Sequence, residues 1–364
     1  MGLENYRGAL LGLAVGDAMG YTVDSRSWSE IQEDYGPHGL MGYDLANGYA
    51  EISSYTQLAA FTCNGLLFGL TRGQMTGQMA PFIKYAALSS LEWAASQRRW
   101  EKIPRTYCWL YRQPEMCRRH CMDTRMLDTL ENRHLGSLEE PQNYFYGPES
   151  LTMAVGVGLF YHPDRMKRKE SDFLGAEVVA LTHGNPAAFL AGFALSHIVG
   201  RLIRKPDLPL KMVVKEACDH VKDEFGHQYS QAFELCNLLK MAVSLSENPY
   251  QNPVEVMEKL QCRSGSQVLA GAIYACLVSD KDFDTAMIIA VNHSGRSAAV
   301  GAVAGAILGL RLGDQALPSF YIECLEPAEI LQELAYDLHG GCPMEMGNKL
   351  FDLDWDRKYL HGGR

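Results

Sequence analysis

Apolar residues recur along this chain at helical spacing. Ile330, Leu331, Leu334 and Leu338 fall on one helix face; so do Phe233, Cys236, Leu239 and Val243, and again Leu190, Phe193, Ala194 and Ile198. Apolar-polar alternation bounded by turn residues, the mark of a strand, is scarce. The pattern predicts an all-α protein of about a dozen helices. Turn residues place the loops. Residues 21–55 contain Gly36-Pro37-His38-Gly39 and Asn47-Gly48, and residues 132–148 contain Gly136, Pro141, Gly147 and Pro148. Thr182-His183-Gly184-Asn185-Pro186 separates two helices, and Asn292-His293-Ser294-Gly295 precedes a helix beginning near Ser297.

Two helical segments carry glycines four apart: Gly8, Gly12, Gly16 and Gly20 near one end, Gly301, Gly305 and Gly309 near the other. That spacing stacks them on one face. Helical glycine costs about 1 kcal/mol against alanine, so a row of them implies a close backbone approach that offsets the cost. Both helices are predicted to be buried and central. Contact between the two would use the glycines; separate packing as small core residues is the alternative.

The chain has 364 residues, 47% of them apolar, enough for a large core. No Pro/Gly/Ser-rich linker divides it, so residues 1–364 are expected to form one domain. A net charge of −10 repels phosphate backbones and argues against nucleic acid as a partner. The basic clusters Arg98-Arg99, Arg118-Arg119 and Arg165 with Lys167-Arg168-Lys169 read as solvated faces. Arg7 and Asp17 interrupt the apolar start, which speaks against a signal peptide. The ten scattered cysteines then suggest reduced thiols and a cytoplasmic location. No run reaches the roughly 18 apolar residues of a membrane span, so no membrane is expected. Cys117, His120 and Cys121, with Cys108 upstream, lack the spacing of a closed zinc site. No P-loop, dinucleotide fingerprint, Gly-x-Ser-x-Gly elbow or His-Glu-x-x-His motif is present.

Five stretches, in order, resemble the ADP-ribosylglycohydrolase family. Gly8 to Gly20 (GALLGLAVGDAMG) is similar to its opening helix, including the Gly-Asp-Ala-x-Gly signature. Thr56-Gln57-Leu58-Ala59 resembles the helix after its first metal loop, and Gly147 to Phe160 its Gly-Asn-Gly-Ser-Leu-Met-Arg segment. Leu181 to Ala187 (LTHGNPA) resembles its Leu-Thr-His-x-x-Pro turn. Ala290 to Gly309 resembles its second metal loop and closing helix. The resemblance implies a compact all-α fold. It also implies hydrolysis of ADP-ribose from modified proteins, with two magnesium ions held between the two loops.

The chain departs from the pattern where that family keeps its metal carboxylates. Ser53, Ser54 and Tyr55 replace Thr-Asp-Asp, with Thr56 retained. Arg296, Ala298 and Ala299 replace Asp, Asp and Ser or Thr, around Ser297. Hydroxyls alone do not neutralise two divalent ions, so the expectation is that the magnesium site does not form and that the chain has no cofactor. Within Gly147 to Phe160, Pro148 and Glu149 replace Asn-Gly, and Thr152 and Met153 replace Met-Arg.

Asp17 and Asp24, the latter near a family Glu, are the candidate catalytic carboxylates. Ser53, Ser54, Tyr55, Thr56, Glu149, Ser150, His183, His293, Arg296 and Ser297 are the candidate cleft residues. Arg296 and Tyr55 together are expected to fill the space between the loops, with the guanidinium paired to Asp17, Asp24 or a bound anion. The leading expectation is a binding or interaction protein whose catalysis has degenerated. Its ligand would be ADP-ribose-like, or its partner a protein. A metal-independent ADP-ribosyl hydrolase acting through carboxylates is the alternative. New chemistry at His293, Arg296 and Tyr55 ranks last.

Overall fold

The computed structural model describes residues 2–45, 48–97, 106–120, 123–133, 135–347 and 351–363. Asn47, Arg98, Arg99 and Cys121, singled out above, lie outside them. Among the described residues there are seventeen α-helices and no strand; one isolated bridge joins Ala50 to Leu325.

The glycine rows meet. The helix Leu3–Tyr21 runs antiparallel to Ser297–Leu312, and both are buried along nearly their whole length. Gly8 faces Gly309, Gly12 faces Gly305, and Gly16 faces Gly301. A β-carbon added at Gly16 would lie 2.0 Å from the Gly301 carbonyl oxygen, and one at Gly12 would lie 2.3 Å from that of Gly305. No residue with a side chain fits either place. This contact positions the site. Because the pair is antiparallel, the end of the first helix and the start of the second emerge together, and Ser25 N donates to the Gly295 carbonyl across them (3.1 Å).

The helix Pro186–Arg204 starts at the expected turn. Asn185 accepts from Ala187 N (2.9 Å), and Pro186 takes the first position, where no N–H is needed. This helix corrects the reading that no segment is long enough to span a membrane. Its 19 residues qualify by length and composition, but 83% of the apolar window is buried within the protein.

Three further expectations change. Residues 21–55 are not all loop, since Trp28–Tyr35 is a helix with a Ser27/Glu30 capping box. In Gln231–Ser246 the buried stripe is Ala232, Leu235, Cys236, Leu239 and Ala242, whereas Phe233 is 49% exposed. In the described basic clusters Arg119, Lys167 and Lys169 are exposed, as expected of solvated faces, but three arginines are tied down. Arg118 pairs with Glu326 and lies over Tyr49, Arg165 donates to the Phe160 and Leu338 carbonyls, and Arg168 donates to that of Gly200.

Candidate functional site

Asp17 lies at the end of the first buried helix and is fully enclosed. One carboxylate oxygen accepts from Ser53 Oγ (2.5 Å), the other from Ser53 N (3.0 Å), Thr56 N (3.0 Å) and Thr56 Oγ1 (2.6 Å). Ser53 caps the helix Ser54–Thr76, so Asp17 satisfies donors that this helix leaves open and sets an anion at its positive end. Burial pushes the Asp17 carboxyl up to about 6, against the pull of those four hydrogen bonds.

Arg296 stands where the second loop enters the Ser297–Leu312 helix. Its Nε donates to Asp24 Oδ2 (3.1 Å), Nη1 to Glu149 Oε1 (2.6 Å) and Nη2 to Tyr55 Oη (3.2 Å). Asp24 Oδ1 also accepts from Ala298 N (3.0 Å), which fastens the first loop to the second helix. Arg296 is mostly buried, and Tyr55, Asp24 and Glu149 almost wholly so. The two carboxylates behave differently. Burial raises Asp24 above the usual carboxylate range, and the Arg296 charge offsets this only in part. Burial pushes Glu149 up as well, but the His183 hydrogen bond and the Arg296 charge outweigh it and hold Glu149 at about 2. His183 Nε2 lies 3.0 Å from Glu149 Oε2, while Nδ1 faces the hydroxyls of Ser150 and Thr182 at 2.9 Å each. His183 thus bridges Glu149 to the Ser150 and Thr182 hydroxyls.

Above this network opens a cleft of about 480 Å³. Glu149 and Arg296 form part of its wall, with Ser25, Arg125, Arg263 and the run Tyr144-Phe145-Tyr146. Backbone contacts bring these together. Gln261 and Cys262 both adopt positive φ (62° and 48°), and the Cys262 carbonyl accepts from Arg296 N (2.8 Å), so the turn that carries Arg263 is bound to the Arg296 loop. Asn185 N donates to the Phe145 carbonyl and Gly265 N to that of Tyr146, which pins the aromatic run against two helix starts. Arg125 lies over the Phe145 ring at 4.8 Å.

A family model described as ADP-ribosylglycohydrolase matches residues 2–347. The chain belongs to the ADP-ribosylglycohydrolase family. Among solved structures it is similar to one titled "ADP-ribosylglycohydrolase-related protein complex", at 22% identity and a TM-score of 0.56, over 93% of this chain and 98% of that one. At that identity the likeness speaks for the fold. No curated protein matches the chain.

Of the sequence-predicted residues, Arg296, Tyr55, Asp24, Glu149, His183 and Ser150 form one connected network, and two of them, Glu149 and Arg296, line the cleft. Arg296 takes Asp24 and Glu149 as partners, and Asp17 belongs to a separate cluster with Ser53 and Thr56. Ser54 is buried, its N–H donating to the His120 carbonyl. Ser297 donates to the His293 carbonyl (3.3 Å). His293 turns towards the main chain. Its Nε2 contacts the Ala290 carbonyl (3.0 Å), its Nδ1 accepts from Gly295 N (2.9 Å), and burial lowers it to about 4. Arg125, Arg263, Tyr144 and Tyr146 were not anticipated. Three of them lie in residues 88–146, a stretch rich in Trp, Tyr and Arg.

The family is metal-dependent, and the expectation of a chain without a cofactor is corrected. Asp172, His197 and His220 each offer a ligand atom, all within 4.8 Å of one another, so this group could hold a metal ion. Asp172 and His197 are buried. These residues are far apart in sequence and sit on three different helices, so no local spacing announces them.

Proposed function

We propose that this member of the ADP-ribosylglycohydrolase family works as a binding protein for an ADP-ribose-like ligand, free or carried on a protein. The observation that carries the reading is the Arg296 clamp. Glu149, in the cleft wall, and Asp24, behind it, accept from the same guanidinium. Glu149, held at about 2, is a poor proton acceptor, and Asp24 and Asp17 each have both oxygens engaged in hydrogen bonds. Glu149 alone would repel a pyrophosphate; with its charge offset by Arg296 it no longer does. Arg263 at the rim then presents a guanidinium suited to phosphate oxygens, while the Arg125 guanidinium is held by the Asp123 carboxylate. Tyr144 and Tyr146, 75% and 58% exposed, offer faces on which a base can stack. A cleft of about 480 Å³ suits a ligand of this size.

The test is calorimetric titration of EDTA-treated protein with ADP-ribose, ADP and ribose 5-phosphate. The proposal expects ADP-ribose and ADP to bind, and the Arg263→Ala variant to bind each at least tenfold more weakly. Release of free ADP-ribose from an ADP-ribosylated protein under the same conditions would replace this reading with that of a metal-independent hydrolase.

A further inference from the structure

We infer that Asp172, His197 and His220 form a binding site for one zinc-like divalent ion, on a face of the protein separate from the cleft. The helices Arg168–Ala180, Pro186–Arg204 and Leu210–Phe225 supply one ligand each. His197 Nδ1 lies 2.8 Å from Asp172 Oδ2, and His220 Nδ1 lies 3.6 Å from the same oxygen. The two imidazole rings are 4.6 Å apart, nearly edge to face. A tetrahedral ion with bonds of about 2.0–2.2 Å separates its ligand atoms by roughly 3.3 Å. The observed distances bracket that value, so small side-chain shifts admit the ion.

A plain hydrogen-bonded Asp-His pair explains this cluster less well. Asp172 Oδ1 is buried, in a side chain 1% exposed, and has no hydrogen-bond partner among the described residues. His220 Nδ1, at 3.6 Å, is too far for a hydrogen bond to Asp172. An ion held by Oδ2 and the two imidazoles would draw in the second ring, and bidentate binding would bring in the idle Oδ1 as well. An outer-shell carboxylate stands close by. His197 Nε2 is also buried without a partner and faces Glu216 Oε2 at 3.9 Å, and Arg201 holds Glu216 through both of its oxygens (2.7 and 3.1 Å). A carboxylate behind the far nitrogen of a ligating histidine is the usual means of fixing its ring.

The donor set selects the metal. Arg168 and Arg201 offset the charges of Asp172 and Glu216, so the site has little net negative charge to attract a hard cation. Two imidazoles and one carboxylate favour zinc, cobalt or nickel over magnesium or calcium. His220, whose side chain is 47% exposed, leaves the fourth position open to solvent.

The experiment titrates EDTA-dialysed protein with cobalt(II) and follows its visible ligand-field absorption. The expected result is saturation at a single equivalent, displacement by zinc, and no competition from excess magnesium. His220→Ala, at a half-exposed position, should keep the metal-free melting temperature and lose the cobalt signal; Asp172→Asn should lose it too. Retention of stoichiometric binding in either variant, or no saturable binding in the unaltered protein, overturns the proposal. So does a near-ultraviolet thiolate-to-cobalt band, because it would place the ion on cysteine.

Discussion

Arg296 Nη1 lies 2.6 Å from Glu149 Oε1, an ion pair between residues 147 positions apart that closes the floor of the cleft. Removing one partner of such a pair leaves the other charged and buried. Arg296→Ala is therefore expected to cost about 3–5 kcal/mol, seen as a lower urea midpoint at neutral pH. Arg296→Lys should recover little, because an ammonium cannot reach Asp24, Glu149 and Tyr55 with the geometry of a guanidinium.

The acid limb of stability should show two windows. Glu149 sits at about 2, below its value of about 4.3 in an unfolded chain. Its contribution is complete above the unfolded value and is lost as pH falls through the folded one. His293, lowered to about 4 from about 6.5, is a base kept neutral by burial. The unfolded chain takes up that proton first, so stability falls as pH drops from about 6.5 to 4. Asp17, held at about 6, acts in the opposite sense over much of that range. Urea midpoints against pH should therefore lose their lower slope, worth roughly 3 kcal/mol, in Glu149→Gln. In the parent the two effects nearly cancel between about pH 6 and 4; in His293→Gln the Asp17 effect stands alone, so stability should rise as pH falls through that range.

The glycine contact gives a sharp contrast. Gly16→Ala puts a methyl group 2.0 Å from the Gly301 carbonyl oxygen, and neither backbone can yield without parting the two central helices. A loss of about 3 kcal/mol, at the upper end of overpacking, is expected. Gly42→Ala meets nothing within 4 Å and should stay within about 0.5 kcal/mol of the parent. Thermal unfolding of the two variants side by side checks this.

Much of the fold was legible because its signals are local. Glycines spaced by four predict the buried pair, and the Thr182–Pro186 turn marks a helix start. The Ser27/Glu30 capping box was equally local and would have revealed the Trp28–Tyr35 helix. The site was legible only in part. The position of Arg296 indicated its importance, but Glu149 as its closest partner depends on how separate helices pack. Arg263 reaches the cleft through a turn with two positive φ values that no residue type there foretells. The Asp172, His197 and His220 group is likewise a product of three helices meeting. In Gln231–Ser246 Cys236, Leu239 and Val243 face the core as their spacing predicts, but Phe233 is apolar yet faces outward.

The exposed aromatics of the cleft separate binding from stability. Tyr144 and Tyr146 make little of the core, so the double change to alanine should leave the melting temperature nearly unaltered. Stacking of a base on such rings is worth about 1–3 kcal/mol. Affinity for ADP-ribose should therefore fall at least fivefold, measured by calorimetry.

The most direct measurement is a paired one on EDTA-treated protein, calorimetric titration with ADP-ribose beside an assay for ADP-ribose released from a modified protein. The account predicts saturable binding, weakened by Arg263→Ala, and no release. Turnover in the assay, or an absence of binding in the unaltered protein, would contradict it.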